Sequence, residues 1–329
     1  MELLVLNARE VQQALPMKQA IDAMIEAFIQ LSNDSSEVPL RSRIQLTDVD
    51  GVSLFMPAYL RRTQDLGMKI VSVFPKNPEL DLPTIHALVI AIDPQTGRPL
   101  ALLEGAALTA IRTGAASGAA TELLARSDAK IAAIFGSGAQ ARTQLEAICT
   151  ARDIEHAWIY SLDPPAADRL IADLAGVGPI PSSLQRADNP RQAVQEADVI
   201  CTATTSLKPV FDGADLKPGV HINAIGSFTP EMQEIDASTM ASAYIVLDSR
   251  QAVLSESGDV LIPLADGTLT EANLQVELGQ IASGAEPGRT SDTQITLFKS
   301  VGVAVQDAIA ASRAVQNAQA EGLGHTIQL

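Results

Sequence analysis

Apolar residues near the start of the chain form first a short run, Leu3 to Leu6. They then recur at helical spacing as Val11, Leu15, Met17, Ile21, Met24, Ile25 and Phe28. This pattern predicts a strand followed by one amphipathic helix whose apolar stripe belongs to a core. From Arg41 to Gly97 the rhythm changes to short alternating or apolar runs: Ser53 to Met56, Met68 to Phe74 and His86 to Ile92. These are punctuated by Asp-Gly, Lys-Asn-Pro and Asp-Pro-Gln-Thr-Gly turn signals, which predicts an antiparallel or mixed sheet. Leu103 to Leu124 is an Ala/Gly-rich run that predicts a long helix able to pack closely on a neighbour. After Ser127 short apolar strands alternate with helical or loop segments, the strands being Ile131 to Phe135, Ala157 to Ser161, Val199 to Ala203, His221 to Ile225 and Tyr244 to Asp248. That alternation predicts a parallel, doubly wound sheet. A last Ala-rich run, Thr296 to Gln319, is expected to be helical and to pack back on the first domain. The predicted fold is therefore α/β: a doubly wound domain over residues 126–304, and an α+β domain made of residues 1–125 with 305–329.

One turn in this pattern carries chemistry. The buried-strand run Lys130 to Phe135 leads directly into Gly136-Ser137-Gly138-Ala139-Gln140-Ala141, which opens the helical segment Arg142 to Cys149. Strand, GxGxxA turn and helix together are the context of a Rossmann dinucleotide fingerprint. Gly136 permits the tight turn, Gly138 lets backbone approach a pyrophosphate, and Ala141 allows close helix–strand packing. The helix N-terminus offers unpaired N–H groups to the anion. The second strand ends in Ser161-Leu162-Asp163. Ser161 can hydrogen-bond a ribose hydroxyl or a 2′-phosphate, and Asp163 lies two residues late and suits a helix cap. The expected cofactor is thus NAD(P)H, with NAD and NADP not distinguished.

Composition narrows the partners. The 329-residue chain is 47% apolar, ample for two cores. Its formal charge of −16 and pI near 4.6 would repel a nucleic-acid backbone or an anionic membrane, so a small molecule is favoured. The two cysteines, Cys149 and Cys201, lack CxxC spacing and are expected to be buried and reduced. His86, His156, His221 and His325 are scattered singly, which predicts no metal. The N-terminus has no basic region before an apolar stretch, and no run approaches the 18 or more apolar residues of a spanning helix. A cytoplasmic location is expected.

Several blocks together resemble the ornithine cyclodeaminase/mu-crystallin family, which includes alanine dehydrogenase and cyclic-imine reductase branches. They are Met56-Pro-Ala-Tyr59, Gly67-Met-Lys69, Leu108-Thr-Ala-Ile-Arg-Thr113, Gly136 to Ala141, Ala197-Asp-Val-Ile-Cys-Thr-Ala-Thr204, Glu256-Ser-Gly-Asp-Val260 and Leu297-Phe-Lys-Ser-Val-Gly302. The resemblance implies an N-terminal substrate and dimerisation domain closed by the C-terminal helix, a central Rossmann domain and a homodimer. It implies that Arg41, Lys69 and Arg112 are the cationic residues that hold and act on a small anionic amino or imino acid, with Met56 and Phe228 also at the substrate. A guanidinium can hold a carboxylate in two parallel hydrogen bonds, and a nearby lysine can reach the reacting carbonyl, imine or carboxylate. Thr113, Thr202, Ala203, Thr204, Gly226, Ser227, Lys299 and Ser300 are implied to join the glycine turn at the cofactor. His86 is a further candidate proton donor, and the roles of Glu256 and Asp259 are unassigned.

The segment Gly226-Ser227-Phe228-Thr229-Pro230 departs from the family. The cyclodeaminase and alanine dehydrogenase branches carry an acidic residue there, and here it is Phe228, which cannot shuttle a proton. Cyclodeamination of a diamino acid would lack its base. Reduction of a preformed imine needs only a hydride and one proton, which Lys69, or a water held by Ser227 or Thr229, could supply. The leading expectation is NAD(P)H-dependent reduction of a cyclic imino acid of the pyrroline-2-carboxylate or piperideine-2-carboxylate kind. The alternatives are ornithine cyclodeaminase, alanine dehydrogenase, a hydroxyproline dehydratase, or a non-catalytic NADPH and small-acid binder of mu-crystallin type.

Overall fold

Pro16 splits the first predicted helix in two. The computed structural model, which describes residues 1–329, has α1 over Ala8–Ala14 and α2 over Met17–Ser32. Proline lacks the backbone N–H that would continue a helix, and is accommodated here as the cap that opens α2. The helical spacing survives the break, so Val11, Ile21, Met24 and Phe28 all reach the core.

The chain divides into two compact units, Met1–Arg112 with Val303–Leu329, and Thr113–Gly302. The first holds β1 (Glu2–Leu6), β2 (Ser36–Glu37), β3 (Ser42–Leu46), β4 (Gly51–Leu60), β5 (Asp65–Val73), β6 (Ile85–Ile92) and β7 (Pro99–Glu104). Neighbours β4 to β7 pair antiparallel while β1 joins β7 in parallel, so the sheet is mixed. Period-2 alternation gives it two unlike faces. One row runs Met56, Lys69, Val89, Leu103 across β4 to β7, and all four are buried. The C-terminal helix Ala304–Glu321 lies along this face, so close to Gly67 that a Cβ there would meet the Ala308 backbone at 3.3 Å. The opposite face carries Ser42, Phe55, Ile70 and Leu88 in one row, all half-buried or exposed.

The second unit is built from β8 (Ile131–Phe135), β9 (His156–Tyr160), β10 (Leu184–Arg186), β11 (Val199–Thr202), β12 (His221–Ala224), β13 (Tyr244–Leu247), β14 (Val276–Glu277) and β15 (Thr296–Lys299). Every pairing in its sheet is parallel, in the order β10-β9-β8-β11-β12-β15-β13-β14. The order reverses between β8 and β11, and the turns beyond those strand ends are where an open α/β sheet offers its ligand crevice. The chain then returns to the first unit through the C-terminal helix and β16 (His325–Gln328), which pairs with β1.

Two expectations are corrected. Thr296 to Lys299 is a strand, not the start of the last helix: its four residues are fully buried between β12 and β13, a slot that only an extended segment fills. The units also part inside α3 (Gly105–Leu124), after Arg112, and not after Ala125. Beyond that point α3 packs on α4 (Ala139–Ala151), where a Cβ on Gly114 would lie 2.5 Å from the Thr143 carbonyl. The expected helix Leu103 to Leu124 begins two residues late because Glu104, at the end of β7, caps α3 by accepting from the Ala106 and Ala107 amides.

Candidate active site

In the first unit, sheet and helix bring opposite charges together in the core. Lys69 stands on β5, Arg112 on α3 and Asp307 on the first turn of the C-terminal helix, and each is at least nine-tenths buried. Lys69 Nζ lies 2.7 Å from Asp307 Oδ2. Arg112 Nε donates to Asp307 Oδ1 at 3.0 Å and its Nη1 donates to Gln306 Oε1 at 2.9 Å. One carboxylate thus fixes both cations. Burial, the Arg112 charge and, more weakly, Arg41 push the Lys69 ammonium down to about 8, against the upward pull of Asp307. Arg41, half-buried just before β3, therefore adds to the same positive field. Met56 is buried beside Lys69 on the neighbouring strand.

His86 does not join this cluster. It pairs with Ser72 across β5 and β6, three residues from Lys69 along β5, so alternation turns it to the opposite, exposed face of the sheet. The expectation of a catalytic role for it is withdrawn on that geometry. Arg43, two residues after Arg41, is exposed and donates to Gln45.

The second unit presents the glycine turn as the sequence predicts. Gly136 adopts φ +111°, and a Cβ on it would meet the Ala203 carbonyl at 2.6 Å, so only glycine lets the turn pass the tip of β11. Gly138 is exposed with open space where its Cβ would be, and it begins α4 with no side-chain cap. The first-turn amides of a 13-residue helix thus face an open approach, which suits a pyrophosphate. Ser137, Ala139 and Gln140 line this approach half-buried or exposed, and Gln140 Oε1 has no protein partner. Ala141 is fully buried in the helix–strand contact. Ser137 Oγ is 2.9 Å from Ser161 Oγ, tying the turn to the end of β9, and Leu162 is 92% exposed. Asp163 accepts from the Ala166 amide as the cap of α5 (Pro164–Leu174), so its carboxylate is committed to the helix. The residues present fit a dinucleotide and leave the 2′ position of its ribose undecided.

Five residues expected at the cofactor brace its loops from behind. Thr202 Oγ1 and the Gly226 amide both donate to Glu234, Ser227 Oγ donates to the Met232 carbonyl, Lys299 Nζ pairs with Asp259 at 2.9 Å, and Ser300 Oγ donates to Asp248. All are buried and spend these groups on protein partners, so what the structure shows of them is how they hold the loops that flank the glycine turn. Ser227 Oγ also accepts from the Asp259 amide at 3.3 Å. Ala203 and Thr204 remain half-buried at the end of β11, and Thr113 is buried on α3 beside Arg112.

The sequence did not single out Glu234, and it left the role of Asp259 unassigned; the two organise these loops. Glu234 accepts from Thr202 Oγ1, from the Thr204 amide and hydroxyl, and from the Gly226 amide, all within 2.8 Å. Burial and nearby Asp259 raise its pKa while Lys299 opposes. Asp259 in turn accepts from the Glu234 and Ile235 amides. Gln306 and Asp307 were also missed. Their one signal was a pair of polar residues inside an Ala-rich run whose other early positions are apolar. Phe228 is 52% exposed on the loop after β12, with no acid at that position. Both cysteines are buried, and burial pushes Cys149 up to about 12.

Comparison with known proteins identifies the family and the fold. The ornithine cyclodeaminase/mu-crystallin family profile matches residues 1–322. A Delta(1)-pyrroline-2-carboxylate reductase of Bacillus cereus is 39% identical over 327 residues, covering 99% of this chain and all of the relative. The structure of the Thermococcus litoralis Delta(1)-pyrroline-2-carboxylate reductase with NADH and L-proline superposes with a TM-score of 0.93 at 40% identity, covering 99% of this chain and 100% of that one. An archaeal alanine dehydrogenase dimer with bound NAD gives 0.92 at 33% identity, each chain covered in full.

Proposed function

Because the chain belongs to the ornithine cyclodeaminase/mu-crystallin family, we propose that it reduces a cyclic imino acid of the pyrroline-2-carboxylate or piperideine-2-carboxylate kind with NAD(P)H. The observation that carries this reading is the buried Lys69–Asp307–Arg112 cluster, which supplies a carboxylate anchor and a proton while Phe228 supplies no base. The substrates and ligands of the reductase relatives support it.

Arg112, fixed by Asp307 and Gln306, and Arg41 hold the substrate carboxylate. Holding it in one geometry sets the C=N carbon and nitrogen in a defined place at low entropic cost. Bound NAD(P)H supplies a hydride to that carbon. Lys69 donates a proton to the ring nitrogen, so C=N plus hydride plus proton gives CH–NH, and the amine form of Lys69 then recovers its proton from water. An ammonium near 8 is mostly charged at neutral pH and is a better acid than an ordinary lysine. The Phe228 ring packs on the apolar methylenes of the substrate.

The assembly that goes with this reading is a homodimer formed by the outer face of the first sheet. Ile44 and Leu88 share that outer face and are at least 36% exposed, apolar side chains that pairing with a copy would cover. The alanine dehydrogenase relative is a dimer. No helix of the chain is long and apolar enough to cross a membrane.

The test is a substrate panel. Purified protein is mixed with NADH or NADPH and with cyclic imines, with keto acids plus ammonia, or with ornithine, following reduced nicotinamide absorbance and ammonia release together. The reading predicts oxidation of the nicotinamide with the cyclic imines fastest. Ornithine-dependent ammonia release without imine reduction would overturn it.

A further inference from the structure

One polar group at the cation cluster has no protein partner. Gln306 is fully buried on the first turn of the C-terminal helix, and its Nε2 makes no hydrogen bond within the protein. Exchanging the two amide ends would not cure this. Oε1 accepts from the Val303 amide at 2.8 Å and from Arg112 Nη1 at 2.9 Å, and two donors on one atom fix that atom as the oxygen. The amide nitrogen is therefore a donor held in place, out of water, by the same guanidinium that anchors the substrate. Buried donors in folded proteins are almost always satisfied, and this one lies beside the guanidinium where a carboxylate would bring acceptors.

We propose that Gln306 is a further substrate-binding residue, whose Nε2 donates to the carboxylate that Arg112 holds. This rests on the function proposed above. The chemistry is complementary. A carboxylate has about four lone-pair sites, more than one guanidinium edge fills, and an amide donor beside the arginine takes another. The contact also selects. A ligand with an amide or ester in place of the carboxylate brings fewer acceptors and no charge, so it leaves Nε2 buried and unpaired and binds worse.

Two measurements test this on the NADH-loaded protein. Gln306→Glu keeps an oxygen for the Val303 amide and for Arg112 while removing the donor. It is expected to raise the Kd for L-proline and the KM for pyrroline-2-carboxylate about ten- to a hundredfold, the cost of a lost hydrogen bond to a charged group. The NADH Kd should stay within about twofold, since the glycine turn lies in the other unit. The second measurement excludes a pure charge effect of the new carboxylate. In wild-type protein with nitrogen-15-labelled glutamine, the side-chain NH2 resonances missing from Gln306→Glu are followed as L-proline or L-alanine is added. Downfield movement of one of those protons with slowed exchange supports the contact. Resonances unmoved by millimolar concentrations of both acids overturn it, as does parallel loss of NADH and L-proline binding in the variant. A wild type whose Gln306 resonances move with L-proline but which reduces no imine would overturn the proposed reaction and leave this contact standing.

Discussion

In the proposed reaction Lys69 is the proton donor, and its environment sets a pH dependence. Burial, Arg112 and Arg41 hold its ammonium near 8 against Asp307. A proton donor must carry its proton, so kcat/KM should be level below that value and fall as pH rises through it. Asp307→Asn removes the one charge that pulls the pKa up, so the falling limb should move to lower pH, with Arg112 and Arg41 still facing the amine. Lys69→Met should lose about a hundred- to ten-thousandfold in kcat, the usual worth of a positioned acid. A limb that stays where it is in Asp307→Asn would assign it to another group. Phe228→Ala should weaken substrate binding by about 1–3 kcal/mol, the worth of a buried aromatic contact, read as a higher KM for the imine at similar kcat. Lys69, Arg112 and Arg41 were legible as family motifs. The carboxylate between Lys69 and Arg112 was not, because Asp307 lies 195 positions from Arg112 in the chain and only the fold brings them together.

At the level of elements, the turn after β8 and the loops after β11 and β12 make one surface, and their legibility differed. Gly136 to Ala141 was readable because a strand, two glycines and a helix start follow one another locally. Gly138→Asp should abolish NADH binding in a folded protein, as judged by nicotinamide fluorescence, since a side chain and negative charge would enter the open space before α4. Glu234 acts through distant residues and has no local pattern. Glu234→Gln places an NH2 group against backbone donors, so the loop at Thr204 or at Gly226 must loosen. It should weaken NADH binding about tenfold with thermal stability lowered by about 1–3 kcal/mol. Unchanged cofactor affinity there would make the brace purely structural. Burial was the part that sequence blocks could not convey: that Thr202, Ser227 and Lys299 spend their polar atoms on Glu234, Met232 and Asp259 follows only from the fold. Likewise Thr296 to Lys299 was hidden because an Ala-rich helix follows so closely that one helical run seemed to cover both.

For the molecule as a whole, a net charge of −16 contrasts with cations gathered at one cluster. Anionic substrate is drawn to the cluster against the average field, and added salt should weaken its capture more than that of a neutral analogue. The fold class was legible throughout, because antiparallel runs with short turns come first and strand–helix alternation follows. The unit boundary was not, since α3 continues without interruption across it. The apolar outer sheet face gives a direct expectation for assembly. Light scattering at micromolar concentration should report a dimer of the 34.6 kDa chain. Leu88→Glu, which buries a charge against a copy, should yield monomer with the glycine turn still binding NADH. A wild-type monomer would remove the dimer from the account.

The central claim is that this chain delivers a hydride to the imine carbon of a cyclic imino acid. The direct measurement uses NADH or NADPH deuterated at both C4 positions, pyrroline-2-carboxylate as acceptor, and mass and proton spectra of the amino acid formed. The account predicts proline carrying one deuterium at the carbon bearing the carboxylate, in amount equal to the nicotinamide oxidised. Failure to form deuterated proline, with ammonia released from ornithine by the same protein and no net nicotinamide oxidation, would contradict it.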